Sequence, residues 1–577
     1  MLTQLKKVYA KKAVRSGFED DSLYNDNLLT LTEGDTELFK DLNKIVGKTT
    51  KVKESQIVIS DNGLTDEEYD KGQKASKKKK KEQTPEEKEI LEKIKKAKDQ
   101  RKTMISILRG VSIRIPMMIY GMKLDLAQDI SITDFVKQVD DESWKEFMPK
   151  GFTKGMFKQI VHYYDAEVFV EAGRIIRQRA KSYDQLNFIE RAEKIAELFS
   201  TFKNPDKETV LTPWRVVNLQ LTKTIGGLNF FDDDFVSTTD GAVSNLHWVE
   251  KTDSQEVYKE DTKILEINTK TGLYPLHAAM SLYYQAVKKN EDIHFEADEV
   301  YKKILKENIY AIAKTEMAKT ITERTLAGYK DFETNVRYID DFVEAIKESP
   351  ESGKKKIDEE FENVKFDVVI GNPPYQEESI GDSTQAPPIY HKFMDTAYEI
   401  ADKAVLITPA RFLFNAGATP ESWNKKMLND EHLKVVHFEN VSYNIFPNTN
   451  FGAVAVTYRD KNKKFEPIGI MTNFSELNSI IKKVERNTID TLDSIISGRG
   501  VYRLTNTAHS EHPEIENLQS KGHKNDVGTG VFGKLQNIIF FKDKPNDGKD
   551  YSKVIGLLDR NREYFWVDSR YITHPRC

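Results

Sequence analysis

Hydrophobic and polar residues follow a strand–helix rhythm through the middle of the chain. Between residues 205 and 460, short apolar runs alternate with longer amphipathic segments. Strands that alternate with helices predict a mostly parallel sheet covered by helices on both faces. The predicted strands are KILEI (263–267), NIYAIA (308–313), VRYI (336–339), FDVVI (366–370), AVLIT (404–408), KVVHF (434–438) and a late antiparallel strand, GAVAVTY (452–458).

The region before this sheet is patterned as helices. A lysine block at 77–81, which we interpret as a solvated linker or as a phosphate contact, precedes a predicted helix. Thr84 fits the N-cap of that helix, Pro85 its first position and Glu87 the acid of a capping box. Residues 111–200 are mainly helical in pattern. One apolar helix face there is made by Leu186, Ile189, Ala192, Ile195 and Phe199, which predicts core packing.

The pattern changes again after about residue 461. The alternation is lost, turn residues increase, and the closing stretch YFWVDSRYITHPRC predicts no terminal element. A chain of 577 residues is too long for one core, so we expect about three domains.

Composition narrows the class of protein. Hydrophobic content of 38% and charged content of 31% are typical of a soluble protein, and no apolar run approaches the roughly 20 residues that span a membrane. The N-terminus lacks a signal-peptide core, and the single cysteine, Cys577, excludes disulfides within the chain. These features lead us to expect a cytoplasmic protein. The net charge of −5 still permits a DNA enzyme, because a local basic face suffices for DNA binding.

The candidate chemistry lies directly after two predicted strands, where ligands bind in doubly wound sheets. In LEINTKTGLYPL (265–276), Gly272 allows a tight turn and Glu266 is an acid suited to an ammonium or hydroxyl group. A plain strand-to-helix turn explains this segment equally well. After FDVVIG comes Asn-Pro-Pro-Tyr (372–375), in which the Asn372 side chain and the Pro373 carbonyl are both acceptors for an amino group.

The same tetrapeptide is suited to holding a flat ring. Tyr375 offers a stacking face, worth roughly 1–3 kcal/mol for a nucleic-acid base, and the two prolines preorganise the pocket. The alternative is a proline-rich turn that carries a surface tyrosine. The order of residue types after a buried strand favours the functional interpretation.

FDVVIGNPPY resembles the catalytic motif of S-adenosylmethionine-dependent amino-methyltransferases, most closely the adenine-specific DNA methyltransferases of fused restriction–modification enzymes (type IIG or single-polypeptide type I-like). TVLTPWRVV (209–217), LEINTKTGLYPL, VRYIDDF and LITPARFLF (406–414) resemble further family segments in the family's order. The resemblance covers about 200–460 and implies a Rossmann-like methyltransferase sheet. It also implies S-adenosylmethionine as cofactor and double-stranded DNA as partner, with adenine as the methylated base.

The resemblance assigns roles residue by residue. The catalytic residues are expected to be Asn372, Pro373, Pro374 and Tyr375. The cofactor-binding residues are expected to be Thr212, Pro213, Glu266, Asn268, Thr269, Gly272, Glu316 and Asp341. No metal site is expected.

Two positions depart from the family pattern. The cofactor loop has one glycine where the family has two, and the acid expected after the second strand falls near Ala313, so that Glu316 is the nearest substitute. After the third strand, either Asp340 or Asp341 can be the acidic residue of the family pattern. We prefer Asp341, because Phe342 follows it as in that pattern.

The resemblance also divides the chain into regions. These are a charged, partly helical N-terminal region with a linker (1–110), a helical connector (111–200), the methyltransferase domain (201–460) and the start of a target-recognition region that is present in part (461–577). Fused relatives carry nuclease or translocase parts, and such parts are expected partners here. VGKTT (46–50) resembles a phosphate-binding loop, but Leu42 replaces its first glycine, and no nuclease cluster is evident.

Two other functions remain open from the sequence. A protein glutamine methyltransferase would use a similar tetrapeptide but would leave the long flanking regions unexplained. A non-catalytic DNA-binding fragment or subunit of a larger restriction enzyme would fit the single-glycine loop. Binding of S-adenosylmethionine distinguishes this last function from both enzymes.

Overall fold

The structure, a computed structural model, describes most of the chain after residue 70. The lysine block, the segment 46–50 and Leu42 lie outside the described residues, and so do Thr209 and the last four residues. The described chain forms two compact units that divide between Asn473 and Phe474. The described residues are 71, 74–76, 83–123, 128–149, 151–161, 164, 166–200, 202, 211–232, 246–289, 296–377, 386–446, 452–485, 502–519, 524–528, 530–558 and 561–573.

Helices form the described part of the chain before the sheet. The first begins with the predicted capping box, since Glu87 N donates to Thr84 Oγ1 (3.2 Å) and Thr84 N donates to Glu87 Oε2 (3.0 Å). In the last of these helices the predicted apolar face is confirmed for Ala192, Ile195 and Phe199, which are buried, whereas Leu186 precedes the helix. The helices are α1 (Pro85–Ser112), α2 (Ile115–Tyr120), α3 (Ile132–Gln138), α4 (Asp141–Phe147), α5 (Lys154–Ile160), α6 (Ala166–Ser182) and α7 (Phe188–Ser200).

Seven strands form the central sheet, and every strand predicted from the sequence is present. They are β3 (Ile264–Thr269), β4 (Ile309–Ala313), β5 (Asn335–Tyr338), β6 (Phe366–Gly371), β7 (Ala401–Pro409), β8 (Leu433–Glu439) and β9 (Val454–Asp460). A short antiparallel pair, β1 (Gly227–Asn229) and β2 (His247–Val249), precedes them.

The order across the sheet is β5-β4-β3-β6-β7-β9-β8. The first five strands in this order run parallel, and β9 runs antiparallel to both β7 and β8. In chain order, β3, β4 and β5 extend the sheet toward one edge, and the strands from β6 onward extend it toward the other edge. The direction of strand addition therefore reverses between β3 and β6, which is the switch point of the sheet. Ligands bind at the carboxyl ends of the strands at such a point. The expected Rossmann-like methyltransferase sheet is thereby confirmed.

Helices cover both faces of the sheet and form two apolar cores. Along β3 the side chains alternate, so that Leu265 and Ile267 lie in one core and Ile264 lies in the other. The same alternation places Glu266 and Asn268 on the Ile264 face. The helices of this unit are α8 (Trp214–Thr224), α9 (Ser254–Val257), α10 (Leu273–Lys289), α11 (Ala297–Glu307), α12 (Glu316–Ala327), α13 (Phe342–Glu348), α14 (Pro350–Glu360), α15 (Tyr390–Ile400) and α16 (Glu421–Leu428).

The second unit corrects the expectation that the chain closes without an element. Two eight-residue strands, β11 (Tyr551–Leu558) and β12 (Asn561–Asp568), pair along their whole length in an antiparallel hairpin. The hairpin packs on a core that includes Phe532, Phe540 and Phe565. The remaining elements are α17 (Ser475–Glu485), β10 (Arg503–Leu504), α18 (Asn506–Glu511), α19 (Ile515–Leu518), α20 (Val531–Lys534) and β13 (Ile572–Thr573). Every described helix of the chain is too short or too polar to cross a bilayer.

Candidate active site

The catalytic tetrapeptide leaves the sheet at the carboxyl end of β6. Gly371 ends the strand with a φ of +143°, a conformation that side chains with a Cβ rarely adopt. This turn directs the chain from the buried strand into the loop formed by Asn372 to Tyr375. The backbone conformation at this position therefore requires glycine.

Asn372 presents a buried hydrogen-bond acceptor. Its side chain is 9% exposed, and Nδ2 donates to Thr212 Oγ1 at 3.1 Å. Oδ1 is buried and has no hydrogen-bond partner among the described residues. A buried acceptor without a partner costs about 1–3 kcal/mol, so an incoming donor would be bound favourably at this atom.

The remaining residues of the tetrapeptide are held by a backbone hydrogen bond and by apolar contacts. Pro373 is buried, whereas Pro374 and Tyr375 are half-buried. The Tyr375 carbonyl accepts from Ile389 N at 3.2 Å, and the ring packs beside a small apolar cluster that includes Val216 and Phe446. Burial raises the pKa of the Tyr375 hydroxyl far above its ordinary value, so this hydroxyl stays neutral.

Buried polar residues hold the backbone of Asn372 and of Gly371, the residue before the tetrapeptide. Asn268 Nδ2 lies 3.4 Å from the Asn372 carbonyl. Gln220 Nε2 lies 3.1 Å from the Gly371 carbonyl and 3.0 Å from the Val405 carbonyl, and Gln220 Oε1 accepts from the Tyr274 hydroxyl. Gln220 and Tyr274 were missed in the sequence. Polar residues inside the apolar helix α8 were the available signal.

Glu266 lies below the same loop as a buried carboxyl group. It is 3% exposed, and its Cγ would be 3.6 Å from a Cβ placed on Gly371. Oε2 has no hydrogen-bond partner in the described part of the chain. Burial raises the pKa of Glu266 to about 8, against smaller opposing effects of Thr269 and Lys270. The carboxyl group is therefore largely protonated at neutral pH until a cation approaches it.

The loop after β3 packs closely on helix α12. Gly272 has a φ of +74°, and a Cβ there would lie 3.0 Å from Thr322 Cα. The Thr269 and Thr322 hydroxyls share a hydrogen bond of 2.9 Å, and Thr325 Oγ1 donates to the Thr271 carbonyl at 2.7 Å. The single glycine of this loop thus serves close packing, and the Thr269 hydroxyl is engaged by helix α12.

The two outer acids, Glu316 and Asp341, make none of the hydrogen bonds described above. Glu316 is half-exposed and pairs with Lys123 at 3.7 Å. Asp341 is exposed, with a φ of +53° at the start of helix α13, and its backbone N donates to Asp340 Oδ1 at 3.1 Å. Pro213 directly precedes helix α8 in an extended conformation. The structure therefore joins Thr212, Asn268 and Asn372 by hydrogen bonds, with Glu266 beside them. Glu316 pairs with Lys123, and Asp341 is exposed.

The strand order and the buried acceptors at the switch point are those expected of a Rossmann-like methyltransferase sheet. Residues 307–446, which include β4 to β8 and the tetrapeptide, match the family described as Eco57I restriction-modification methylase. The resemblance to restriction–modification methylases inferred from the sequence is thereby confirmed. No curated protein sequence matches the chain significantly.

Several solved structures are similar at low sequence identity. The ATP-dependent Type ISP restriction-modification enzyme LlaBIII bound to DNA has 10% identity and a TM-score of 0.38, over 93% of this chain and 39% of that one. A type I restriction-modification methyltransferase subunit from Streptococcus thermophilus has 12% identity and a TM-score of 0.32, over 85% and 92%. A modification subunit of a putative type I restriction enzyme from Vibrio vulnificus has 10% identity and a TM-score of 0.30, over 58% and 66%.

Proposed function

We propose that this chain methylates the exocyclic amino group of adenine in double-stranded DNA, with S-adenosylmethionine as methyl donor, within a restriction–modification system. The observation that carries the proposal is the buried Oδ1 of Asn372, an acceptor without a partner among the described residues at the switch point of the sheet. It is supported by the family match over residues 307–446.

The tetrapeptide has the groups that such a transfer needs. An exocyclic amino group has two hydrogens, and the Asn372 Oδ1 and the Pro373 carbonyl are two acceptors on adjacent residues. When both hydrogens are held, the nitrogen lone pair is drawn out of conjugation with the ring and directed away from the loop. The lone pair would then be available to accept the methyl group that bound S-adenosylmethionine would supply.

The buried acid fits the cofactor. S-adenosylmethionine, when bound, supplies a methyl group on a positively charged sulfur and also carries an ammonium group. Glu266 is a buried carboxyl group whose Oε2 lacks a partner in the described residues, so a cation beside it would stabilise its ionised form. We propose that Glu266, Asn268 and the loop through Gly272 hold the cofactor, with Thr212 and Pro213 at its edge. Thr269 and Glu316 are weaker candidates because they have the partners described above, and Asp341 is weaker because it is exposed.

Tyr375 offers the ring of the target base a stacking surface close in sequence to the acceptors of Asn372 and Pro373. We propose that Tyr375, which is half-buried, stacks on the base after it has been turned out of the duplex. Within a duplex the amino group is not accessible for attack, so the DNA must be held while one base is extruded.

The second unit has an exposed surface of the kind that binds DNA. On the hairpin, Lys553 pairs with Trp566 and Ile555 with Tyr564 across the two strands. The Lys553 ammonium lies 4.6 Å from the Tyr564 ring centroid, and Tyr564 is 61% exposed. Lys544 lies 5.4 Å from the Trp566 ring centroid. Cations interleaved with aromatic rings suit phosphates and unstacked bases, so we propose that this face contacts DNA. Nuclease or translocase parts of a restriction system are further proposed partners.

One observation favours a second function, that of a non-catalytic DNA-binding subunit. The loop after β3 is packed against helix α12 through Thr269 and Gly272, and Glu316 is paired with Lys123. A chain that had lost the cofactor would tolerate this arrangement. It would bind DNA without binding S-adenosylmethionine.

Methyl transfer from labelled S-adenosylmethionine separates these functions. The wild-type chain is incubated with mixed-sequence duplex DNA or with a mixture of folded proteins, and label is counted in each fraction. The proposal expects label in DNA, loss of turnover by about 10²–10³ in Asn372→Ala, and a smaller loss in Asn372→Asp, which retains an acceptor. Label in protein alone, or equal turnover in all three chains, would refute it. Absence of cofactor binding would favour the non-catalytic subunit.

A further inference from the structure

A buried arginine of the helical connector caps the end of helix α12. Arg191 lies in helix α7, and its side chain is 3% exposed. Its guanidinium donates to three carbonyls of the last turn of α12, those of Arg324 at 2.8 Å, Thr325 at 2.9 Å and Leu326 at 3.1 Å. The carbonyls at the end of a helix have no partner within the helix and carry a partial negative charge. A buried cation at this position therefore stabilises the end of α12 and fixes its place.

A buried carboxylate of the connector holds both this arginine and the chain that follows α12. Asp184 Oδ1 accepts from Arg191 Nε at 3.2 Å, and Asp184 Oδ2 accepts from Tyr329 N at 2.9 Å. The Asp184 side chain is 6% exposed, so water screens the ion pair little. Gly328 has a φ of +69°, and a Cβ there would collide with the carboxylate. Loss of either charged partner would leave the other buried without compensation.

The connector also holds the first turn of α12. Thr315, the N-cap residue of α12, donates its hydroxyl to Glu146 Oε2 at 2.5 Å. The backbone N of Met317 donates to Ser143 Oγ at 3.1 Å. Both Glu146 and Ser143 are buried residues of helix α4. Two helices of the connector and the turn at Asp184 therefore hold α12 at its two ends.

Helix α12 in turn holds the loop after β3. The hydroxyls of Thr322 and Thr269 share a hydrogen bond of 2.9 Å, and Thr325 Oγ1 donates to the Thr271 carbonyl at 2.7 Å. Thr325 thus meets both sides, since its carbonyl accepts from Arg191 and its hydroxyl holds the loop. Because close-packed interiors transmit strain, a displacement of α12 would also displace the loop.

We propose that Arg191 and Asp184 are positioning residues for the cofactor, because they hold helix α12 where its threonines fix the loop after β3. Docking of the connector on α12 and binding of S-adenosylmethionine are then coupled, so that each strengthens the other. The inference rests on the proposed function, which assigns this loop to S-adenosylmethionine. It gives the connector a part in cofactor binding although its charged pair touches the loop only through α12.

Arg191→Lys tests this coupling by calorimetry and kinetics. Lysine keeps the positive charge, but one ammonium group cannot replace a planar guanidinium that reaches three carbonyls and a carboxylate. The Kd for S-adenosylmethionine should rise by about tenfold, which lies within the usual range of coupling between two sites. In turnover the loss should appear in the KM for S-adenosylmethionine and not in kcat at saturating cofactor, because the tetrapeptide is unaltered.

Arg177→Lys is the matched control. Arg177 is a buried arginine of helix α6, and its guanidinium donates to the carbonyls of Gly173 at 3.3 Å and Gln128 at 2.7 Å, both in the connector. Urea unfolding should show lower stability for both lysine variants, but the Kd of Arg177→Lys for S-adenosylmethionine should equal that of the wild type. A wild-type Kd in Arg191→Lys, or an equal rise of Kd in the two variants, would overturn the proposal.

Variants of Thr325 test the route through α12. Thr325→Val keeps the side-chain volume and removes the hydroxyl that holds the Thr271 carbonyl, so it should also raise the Kd for S-adenosylmethionine, whereas Thr325→Ser should not. In the double variant Arg191→Lys with Thr325→Val, the rise should be smaller than the product of the two single rises. Thr325→Val leaves the buried ion pair in place, so it tests the route even where Arg191→Lys does not fold. Equal Kd values for Thr325→Val and Thr325→Ser, or fully multiplicative rises, would contradict the route.

Hydrogen exchange tests the positioning without any cofactor. In the cofactor-free chain, the backbone amides of residues 269–273 should exchange faster in Arg191→Lys than in the wild type, and at the wild-type rate in Arg177→Lys. Unchanged exchange of these amides in Arg191→Lys would overturn the proposal even in an active enzyme. Conversely, a loop that loosens as expected in a chain that binds no S-adenosylmethionine would support the positioning of the loop and contradict only the proposed function.

Discussion

The buried carboxyl group of Glu266 should make the stability of the chain depend on pH. Burial raises the pKa of Glu266 from 4.5 to about 8 in the folded state. The unfolded chain therefore loses this proton near pH 4.5, whereas the folded chain keeps it until about pH 8. The contribution of the group to folding is complete below pH 4.5 and is lost as pH rises to 8. One pKa unit corresponds to about 1.4 kcal/mol, so the loss is on the order of 5 kcal/mol.

Glu266→Gln isolates this contribution, because glutamine is nearly the same size and does not titrate. Urea unfolding of both chains is measured at pH 5, 6, 7 and 8. The free energy of unfolding of the wild type, taken relative to the variant, should fall steadily across this series. S-adenosylmethionine should bind the wild type more tightly as pH rises, with release of a proton, because its positive charge favours the ionised carboxyl. Parallel stability curves for the two chains would refute the reasoning.

Three further results are expected. Tyr375→Ala should raise the KM for DNA by roughly 5- to 150-fold, as loss of one stacked base predicts, with unchanged affinity for S-adenosylmethionine, and Tyr375→Phe should not. Gly272→Ala should lower the free energy of unfolding by about 1–3 kcal/mol and weaken cofactor binding in calorimetry, because φ is +74° and Thr322 Cα is 3.0 Å from the added Cβ. Lys553→Ala should weaken DNA binding in fluorescence anisotropy and reduce the slope of log affinity against log salt by about 1.

The sheet could be predicted because its strands are bounded by clear local signals. FDVVI and AVLIT are continuous apolar runs, which is typical of strands buried on both faces, and the long amphipathic segments between them identify the connecting helices. The tetrapeptide after β6 was identified for the same reason. Its residue types are unusual directly after a buried strand.

The support around the tetrapeptide could not be predicted, since it depends on tertiary contacts. Gln220 and Gly371 are separated by 151 residues in sequence, and Tyr274 meets Gln220 across 54. The polar residues of helix α8 are visible in the sequence, but nothing local shows that Gln220 meets the carbonyl of Gly371. Glu316 and Asp341 follow the strands at which acids were expected, and both lie toward solvent, with Glu316 paired to Lys123.

The terminal hairpin was missed because its exposed face is also apolar. Ile555 and Tyr564 face solvent and pair across the two strands, so apolar residues do not alternate cleanly with polar ones. The period-two signal of a half-buried strand is weakened by such residues. Exposed aromatic residues of this kind support the proposal that this face of the hairpin contacts DNA.

The central claim is that Asn372 and its neighbours direct a methyl group to the amino nitrogen of adenine. The most direct measurement uses S-adenosylmethionine with a trideuterated methyl group and mixed-sequence duplex DNA, followed by digestion to nucleosides and mass spectrometry. The account predicts trideuterated N6-methyladenine with the wild-type chain and formation about 10²–10³ times slower with Asn372→Ala. Label in cytosine, or labelled adenine formed equally by Asn372→Ala, would contradict it.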